Sequence, residues 1–238
     1  VTLPHKENLA RLAGEMAGRG GVRVDDEVRL CGAGNTLVRE EAGAGGAGWR
    51  VMNTDASAAR SCLEEAVGSL EGKRVVVLGA GGVGRTIAAT CVAAGAEVRL
   101  LARDAGKAEA VAREWREQQE ALERGDERER RSVRLASGAI GDGVGDGVDA
   151  VVNATPVGMV GGPAPNESVV DVAAVGRASP GAMVFDTVYN PAQTPMLKAA
   201  REAGLATIDG VRMFVRQAAL QFEAWTARAA PIELFERV

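Results

Sequence analysis

The stretch Arg74-Val75-Val76-Val77-Leu78-Gly79-Ala80-Gly81-Gly82-Val83-Gly84 decides the fold of this chain. Its first five residues form a short apolar run, typical of a strand that is buried on both faces of a parallel sheet. The run passes directly into the pattern G-x-G-x-x-G, and a helix is predicted from Gly84 to Ala94. In this setting the first glycine allows a tight turn, the second lets a pyrophosphate approach the backbone, and the third lets helix and strand pack closely. The helix N-terminus offers free N–H groups to the anion. The motif therefore predicts a dinucleotide site formed by Gly79, Ala80, Gly81, Gly82, Val83 and Gly84.

Strands and helices alternate on both sides of this motif. The pattern predicts helices over Ala58–Val67 and Ala108–Leu122, and strands over Glu97–Leu101, Ala150–Val152 and Met183–Phe185. The glycine-rich segment Gly138–Gly147 is predicted to be a loop. Alternation over residues 70–210 predicts an α/β domain with a doubly wound, Rossmann-type parallel sheet.

The residues before this domain show a different pattern. A short helix is predicted over Glu7–Met16, followed by strands around Thr36–Val38 and Trp49–Met52 that are joined by a hairpin loop over Ala42–Gly48. A last helix, Val211–Ala227, carries apolar residues near helical spacing. These segments predict a second, smaller α/β unit.

Composition and charge exclude several classes of protein. The net charge of −4 gives no general attraction to nucleic acid, and no apolar run reaches the roughly 18 residues that a membrane helix needs. Three scattered cysteines without a CxxC spacing argue against a disulfide framework or a zinc site and favour reduced, buried thiols. A single histidine, His5, makes a Ser-His-Asp triad or a multi-histidine metal site an unsuitable hypothesis. We therefore expect a cytoplasmic protein with no metal, no membrane partner and no nucleic-acid partner.

The end of the second predicted strand bears on the choice of cofactor. An NAD-binding protein often places an acidic residue there to accept hydrogen bonds from the ribose hydroxyls. This strand instead ends in Leu101-Ala102-Arg103, where a guanidinium can bind a 2′-phosphate, and Lys107 adds a second cation. Asp104 argues against NADP, because its carboxylate could pair with Arg103 or repel the 2′-phosphate. The pattern favours NADP and leaves NAD possible.

Six segments, in order and spacing from one end of the chain to the other, resemble the shikimate dehydrogenase family. The segments are Val1-Thr2-Leu3-Pro4-His5-Lys6, Gly34-Asn35-Thr36, Asn53-Thr54-Asp55, Asn153-Ala154-Thr155-Pro156-Val157-Gly158-Met159, Asp186-Thr187-Val188-Tyr189-Asn190-Pro191 with Thr194-Pro195 and Leu197, and Asp209-Gly210-Val211 with Met213 and Gln217. The resemblance implies an NADP-dependent oxidoreductase that acts on a CH–OH group. Its reaction would be the reversible reduction of 3-dehydroshikimate to shikimate in chorismate and aromatic amino-acid biosynthesis.

The same resemblance implies two domains with the active site between them. Residues 1–55 and 211–238 would form the substrate-binding and catalytic domain, and residues 56–210 the NADP-binding Rossmann domain. Family members have further residues before V-T-x-P-x-K, so the substrate domain of this sequence is expected to be incomplete at its N-terminal side. The sequence also departs from the family where Ala102-Arg103-Asp104 stands in place of N-R-T.

The resemblance further implies a role for each matched residue. Lys6 and Asp55 match the catalytic pair of the family, and a lysine beside a carboxylate can hold and deliver a proton next to the carbon that exchanges hydride. The substrate contacts carried over are Thr2, Asn35, Tyr189 and Gln217, and the cofactor contacts are Thr155, Val188, Gly210 and Met213.

Several alternatives stay open on the sequence. The chain could be an NAD-dependent quinate/shikimate dehydrogenase, the dehydrogenase part of a dehydroquinate dehydratase–shikimate dehydrogenase fusion, or a non-catalytic dinucleotide-binding homologue. A monomer and a homodimer are both compatible with the sequence.

Overall fold

A computed structural model describes residues 5–17, 21–43, 46–123 and 135–235. The strands within these ranges are β1 (Val22–Val24), β2 (Thr36–Gly43), β3 (Gly46–Met52), β4 (Arg74–Leu78), β5 (Glu97–Ala102), β6 (Leu135–Ala139), β7 (Ala150–Asn153), β8 (Met183–Asp186) and β9 (Ala206–Ile208). The α-helices are α1 (Lys6–Ala17), α2 (Asp26–Cys31), α3 (Thr54–Val67), α4 (Gly82–Ala93), α5 (Ala105–Glu123), α6 (Val172–Ala178), α7 (Pro195–Glu202), α8 (Gly210–Thr226) and α9 (Ile232–Phe235).

Of the two sheets in the described residues, the larger is fully parallel and has the strand order β6-β5-β4-β7-β8-β9. This is the arrangement of a Rossmann-type sheet, in which the chain runs outward from β4 to one edge and then returns to build the other half. Leu78 pairs with Leu101 on one side and with Asn153 on the other, and Asn153 pairs with Asp186. The carboxyl ends of β4, β7 and β8 therefore lie in one row. The predicted α/β, doubly wound fold is confirmed.

Both faces of this sheet are covered by apolar side chains, as the sequence of β4 predicts. Val75 and Val77 belong to a cluster on one face, and Val76 and Leu78 belong to a second cluster on the other face. Each of the four is at most 1% exposed. Alternating residues of one apolar strand thus supply two separate cores.

The smaller sheet has the order β1-β3-β2, with β1 parallel and β2 antiparallel to β3. Helix α1 packs on it through Leu9 and Ala13, which meet Val24 and Val51. Helix α8 reaches the same sheet, because Trp225 Nε1 donates to the carbonyl oxygen of Leu37 at 3.2 Å. None of the helices in the described ranges has the length and apolarity needed to cross a lipid bilayer.

The division of the chain into domains remains a prediction. Its boundaries, between residues 55 and 56 and between residues 210 and 211, fall inside the first turns of α3 and α8.

Two segments differ from the sequence prediction. Gly138 lies in the edge strand β6, whereas the glycine-rich stretch Gly138–Gly147 was predicted to be entirely loop. Pairing with β5 over five residues outweighs the weak strand propensity of glycine there. The hairpin is also longer than predicted, since β2 extends to Gly43 and β3 starts at Gly46. Five short elements were not predicted, because each has too few residues to show a periodic apolar pattern: β1, α2, α6, α7 and β9.

The third glycine of the phosphate motif generates a prediction about stability. A methyl group on Gly84 would lie 1.8 Å from the carbonyl oxygen of Gly79, so the turn between β4 and α4 must shift to accept alanine. We expect Gly84→Ala to lower the free energy of unfolding, measured by urea denaturation, by about 1–3 kcal/mol, as for other overpacked sites. Gly81→Ala is the matched control, because a methyl group there meets no described atom within 4 Å. An equal cost of the two substitutions would contradict this explanation.

Candidate active site

A buried ion pair joins two segments that are far apart in the sequence. Lys6 is the first residue of α1 and Asp55 lies in the first turn of α3, and Lys6 Nζ is 2.5 Å from Asp55 Oδ2. The two residues are only 8% and 5% exposed. Since each charge is largely removed from water, each depends on the other for compensation. The structure therefore brings together the two residues predicted to be catalytic.

The backbone on both sides of the pair is held by hydrogen bonds. The carbonyl oxygen of Lys6 accepts from Gly34 N at 2.9 Å, and Asp55 N donates to Asn53 Oδ1 at 3.1 Å as part of the N-cap of α3. The stem of Lys6 lies against the phosphate motif, because a methyl group on Gly82 would be 3.4 Å from Lys6 Cβ. The pair thus lies beside the glycine-rich turn.

The geometry of this turn suits a pyrophosphate. Gly81 is the N-cap of α4, and the helical hydrogen bonds start with Arg85 N donating to Gly81 O at 2.8 Å. The N–H groups of Gly82, Val83 and Gly84 precede that bond and have no acceptor within the helix. Space for a Cβ on Gly81 is open among the described residues. An anion can therefore approach these N–H groups and the positive end of the helix dipole, and the residues present fit a bound dinucleotide.

The loop after β7 packs on the same turn. A methyl group on Gly79 would lie 2.8 Å from the carbonyl oxygen of Ala154 and 3.0 Å from Thr155 Cγ2. Asn153 Oδ1 accepts from both Thr155 N at 2.9 Å and Thr155 Oγ1 at 2.7 Å. Thr155, predicted from the sequence to contact the cofactor, is therefore fixed next to Gly79.

Asp186 connects this loop to the next one, and no local sequence pattern predicts this role. Its carboxylate accepts from Asn153 Nδ2 at 2.9 Å, from Val188 N at 3.0 Å and from Thr194 Oγ1 at 2.6 Å. Burial raises the pKa of Asp186, against the opposing effect of these three hydrogen bonds. Thr194 in turn caps α7, and a threonine before a proline is a helix-start signal that could have identified it.

Val188 and Gly210, two further residues predicted to contact the cofactor, meet at the start of α8. A Cβ on Gly210 would lie 2.4 Å from the carbonyl oxygen of Val188, so only glycine allows the helix to start this close to the loop. Met213, one turn into α8, is 5% exposed and belongs to the core cluster that also contains Val75.

Two of the predicted substrate residues are joined through one hydroxyl group. Asn35 Nδ2 donates to Thr54 Oγ1 at 3.0 Å, and Thr54 Oγ1 donates to Gln217 Oε1 at 3.4 Å. Asn35 Oδ1 also accepts from Thr54 N at 3.0 Å. Since Thr54 precedes Asp55 in α3, these amides are connected directly to the segment that carries the ion pair.

The remaining predicted residues lie at the surface or outside the described ranges. Tyr189 is 52% exposed and stacks on Phe214, with 4.7 Å between ring centroids. Arg103 and Lys107 are exposed at the start of α5, and their side chains make no hydrogen bond or ion pair within the described part of the chain. Thr2 lies outside the described residues.

Comparisons with known proteins agree with this geometry. A family model described as "Shikimate 5'-dehydrogenase C-terminal domain" matches residues 210–238, and one described as "short chain dehydrogenase" matches residues 73–177. The chain is 35% identical to the shikimate dehydrogenase (NADP(+)) of Methanocella arvoryzae, over all of this chain and 76% of that protein. It is 33% identical to the enzyme of the same name from Methanocaldococcus jannaschii, over 99% of this chain and 74% of the relative.

The chain belongs to the shikimate dehydrogenase family. Among solved structures, a shikimate dehydrogenase in complex with NADP+ matches with a TM-score of 0.78 and 31% identity, over 100% of this chain and 73% of that one. A quinate dehydrogenase from Corynebacterium glutamicum in complex with NAD matches with a TM-score of 0.75 and 29% identity, over 99% and 74%. The family resemblance stated from the sequence is confirmed.

Asp186 generates a prediction about how this family member responds to pH. Its ordinary pKa is 3.8 and burial raises it, so the folded state keeps the proton to a higher pH than the unfolded state does. The folded wild type therefore loses stability relative to Asp186→Asn as the pH rises above 3.8, until the carboxyl group is ionised in both states. Urea denaturation of both proteins at pH 4 and pH 7 measures the effect.

Asp146→Asn, which removes an exposed carboxylate, is the matched control for this comparison. A difference between Asp186→Asn and wild type that is the same at both pH values would contradict the assigned direction.

Proposed function

We propose that this chain is an NADP-dependent shikimate dehydrogenase that reversibly reduces 3-dehydroshikimate to shikimate, in the shikimate pathway. The observation that carries the proposal is the buried Lys6–Asp55 pair lying against the glycine-rich turn. The names of the relatives, shikimate dehydrogenase (NADP(+)), support the substrate and the cofactor.

The proposed chemistry separates a hydride from a proton. A bound NADP+ would supply the acceptor for the hydride that leaves the carbon bearing the hydroxyl group. The hydroxyl proton needs an acceptor beside that carbon, and the same group must return it in the reverse reaction. Lys6 and Asp55 take this role as a unit, since the 2.5 Å contact lets a proton gained at one group be stabilised by the other. Their burial keeps bulk water from competing for the proton.

The proposed substrate contacts are amides. Asn35 and Gln217 each carry a donor and an acceptor, which suits the hydroxyl groups of a polyol better than a charged side chain does. Their connection through Thr54 fixes them relative to Asp55. Tyr189, held by its stacking on Phe214, and Thr2 complete the proposed set.

The proposed cofactor site runs from the glycine-rich turn in two directions. Toward α5, Arg103 and Lys107 are cations without a partner in the described structure and are available to a 2′-phosphate. Toward α8, the proposed neighbours of the nicotinamide are Thr155, Val188, Gly210 and Met213. Their closeness to Gly79 and to the start of α8 supports this assignment.

A second candidate function is an NAD-dependent quinate/shikimate dehydrogenase. Asp104 favours it, because its carboxylate stands directly after Arg103, where it accepts from Gly106 N at 3.0 Å. A carboxylate at this place repels a 2′-phosphate and can accept from a ribose hydroxyl. The quinate dehydrogenase that matches in structure is named as a complex with NAD.

Location and partners also belong to the proposal. We propose a cytoplasmic enzyme, monomeric or homodimeric, whose partner is a small molecule and not nucleic acid. Its three cysteines are free and buried, and burial raises the pKa of Cys91 to about 12, which keeps that thiol unreactive.

Replacement of the catalytic lysine tests the proposed function. We expect Lys6→Ala to lower kcat for shikimate oxidation by at least about 100-fold, the lower end of the range for lost acid–base catalysis, with little change in the Kd of NADP+. Turnover is followed by NADPH absorbance and Kd by calorimetry. Lys198→Ala removes an exposed lysine of α7 and is the matched control. A wild type that binds NADP+ without turnover, or an equal loss of kcat and affinity in Lys6→Ala, would contradict the proposal.

Replacement of the surface arginine tests the choice between the two dinucleotides. Because only NADP carries the 2′-phosphate, we expect Arg103→Ala to raise the KM for NADP+ by about tenfold, equivalent to about 1.4 kcal/mol, and to leave the KM for NAD+ nearly unchanged. Arg113→Ala, at an exposed position of α5, changes net charge equally and serves as control. An unchanged ratio of the two KM values would favour the NAD-dependent candidate.

A further inference from the structure

A buried amide, Asn53, lies where three helices meet. Its Nδ2 is 2.9 Å from the carbonyl oxygen of Ala33, 2.9 Å from Thr86 Oγ1 and 3.3 Å from Cys31 Sγ. Asn53 is 5% exposed, and the three residues that it contacts are at most 1% exposed. The contacts join the end of α2 and the start of α3 to Thr86, the fifth residue of α4.

The amide of Asn53 is hydrogen-bonded to the backbone of Asp55 and is connected through Ala33 and Gly34 to the backbone of Lys6. On one side, Oδ1 accepts from Asp55 N at 3.1 Å. On the other side, Nδ2 donates to Ala33 O, and the next residue, Gly34, donates its N–H to the carbonyl oxygen of Lys6. A displacement of this one side chain therefore changes the backbone of Asp55 and, through two residues, that of Lys6.

A second path leads from Asn53 to the phosphate motif. Thr86 Oγ1 accepts from Asn53 and donates to the carbonyl oxygen of Gly82 at 2.8 Å. Gly82 is the residue against which the stem of Lys6 lies. The hydroxyl of Thr86 thus links the ion pair to the turn that holds the dinucleotide.

The contact with Cys31 helps to fix the orientation of the Asn53 amide group. Burial raises the pKa of the Cys31 thiol, so it stays neutral and donates its S–H to the carbonyl oxygen of Ala33 at 3.3 Å. The carbonyl oxygen of Ala33 can only accept a hydrogen bond, so the side of the Asn53 amide that faces it must be the N–H₂ group. The amide oxygen is thereby directed at Asp55 N, which is the orientation that caps α3.

We propose that Asn53 is a positioning residue for the dehydrogenase reaction, and that Thr86 transmits its position to the glycine-rich turn. The two residues set the distance between the Lys6–Asp55 pair and the cofactor, without touching substrate or cofactor themselves. The inference rests on the proposed function, since it assigns these residues to the step in which hydride and proton are separated.

A purely structural role gives a different pattern of effects. If the cluster only stabilises the fold, its loss lowers the melting temperature and leaves kcat of the folded enzyme unchanged. If the cluster positions the pair, its loss lowers kcat while the KM for shikimate and the Kd for NADP+ stay within about twofold, because the binding groups remain in place.

The experiment uses Thr86→Val, which keeps the shape of the side chain and removes the hydroxyl group. Thr86→Ser restores the hydroxyl, and Thr90→Val makes the same change one turn later in α4, at a side chain with no hydrogen bond in the described structure. We expect Thr86→Val to lower kcat for shikimate oxidation about tenfold, with Thr86→Ser recovering most of that loss and Thr90→Val equal to wild type. Asn53→Ala should lower kcat further, and Thr86→Val decides alone if Asn53→Ala does not fold.

The readouts are kcat, the KM for shikimate, the Kd of NADP+ by calorimetry and the melting temperature. Folded Thr86→Val with wild-type kcat would overturn the inference, and so would a loss of kcat that is matched by an equal loss of NADP+ affinity. Absence of turnover in both wild type and Thr90→Val would overturn the proposed function itself, and with it the assigned role of Asn53.

Discussion

The buried contact between Lys6 and Asp55 is the interaction on which the rest of the site depends. Removing an ammonium or a carboxylate from water costs on the order of several kcal/mol per ion, and only close pairing with further hydrogen bonds offsets that cost. The structure supplies the pairing at 2.5 Å and holds the backbone of each partner separately. The cost of burying this pair and the hydrogen bonds that hold its backbone are the observations on which we base the proposed proton-transfer role of Lys6 and Asp55.

The position of the pair follows from the larger sheet. Parallel strands end together at one edge, and in an open sheet ligands bind at that edge, where the strand order reverses. Here the reversal lies between β4 and β7, and the glycine-rich turn follows β4 directly. Lys6 and Asp55 come from α1 and α3, which precede this sheet in the chain, and they reach its carboxyl edge at Gly82. The proposed cofactor site and the proposed proton relay therefore come from different parts of the chain and lie next to each other.

Local signals made part of this arrangement predictable from the sequence. The apolar strand Arg74–Leu78 and the glycines after it specify a strand, a turn and a helix without reference to the rest of the chain. Lys6 and Asp55 could be matched by the motifs around them, although no local pattern shows that two side chains 49 positions apart touch. The strand β6 was not predicted from the sequence, because Gly138 interrupts its apolar pattern. Its pairing with β5 is visible only in the folded chain.

The polar clusters were beyond the sequence for the same reason. In the sequence, Asn53 is only the first residue of the Asn53-Thr54-Asp55 motif. Its proposed role follows from contacts to residues 20, 22 and 33 positions away. Asp186 likewise depends on Asn153, 33 positions earlier, and on Thr194, eight positions later. Hydrogen bonds between distant segments leave no periodic trace, so buried polar positions are where sequence reasoning stops and geometry is needed.

The most direct test of the central claim is a double-mutant cycle on the ion pair, with kcat/KM measured for Lys6→Met, Asp55→Asn and the double variant under identical conditions. Residues that act as one unit are strongly non-additive, so we predict that the double variant is no slower than the slower single variant. Effects of the two substitutions that multiply in the double variant would show that Lys6 and Asp55 act independently, and would contradict a proton relay shared by the pair.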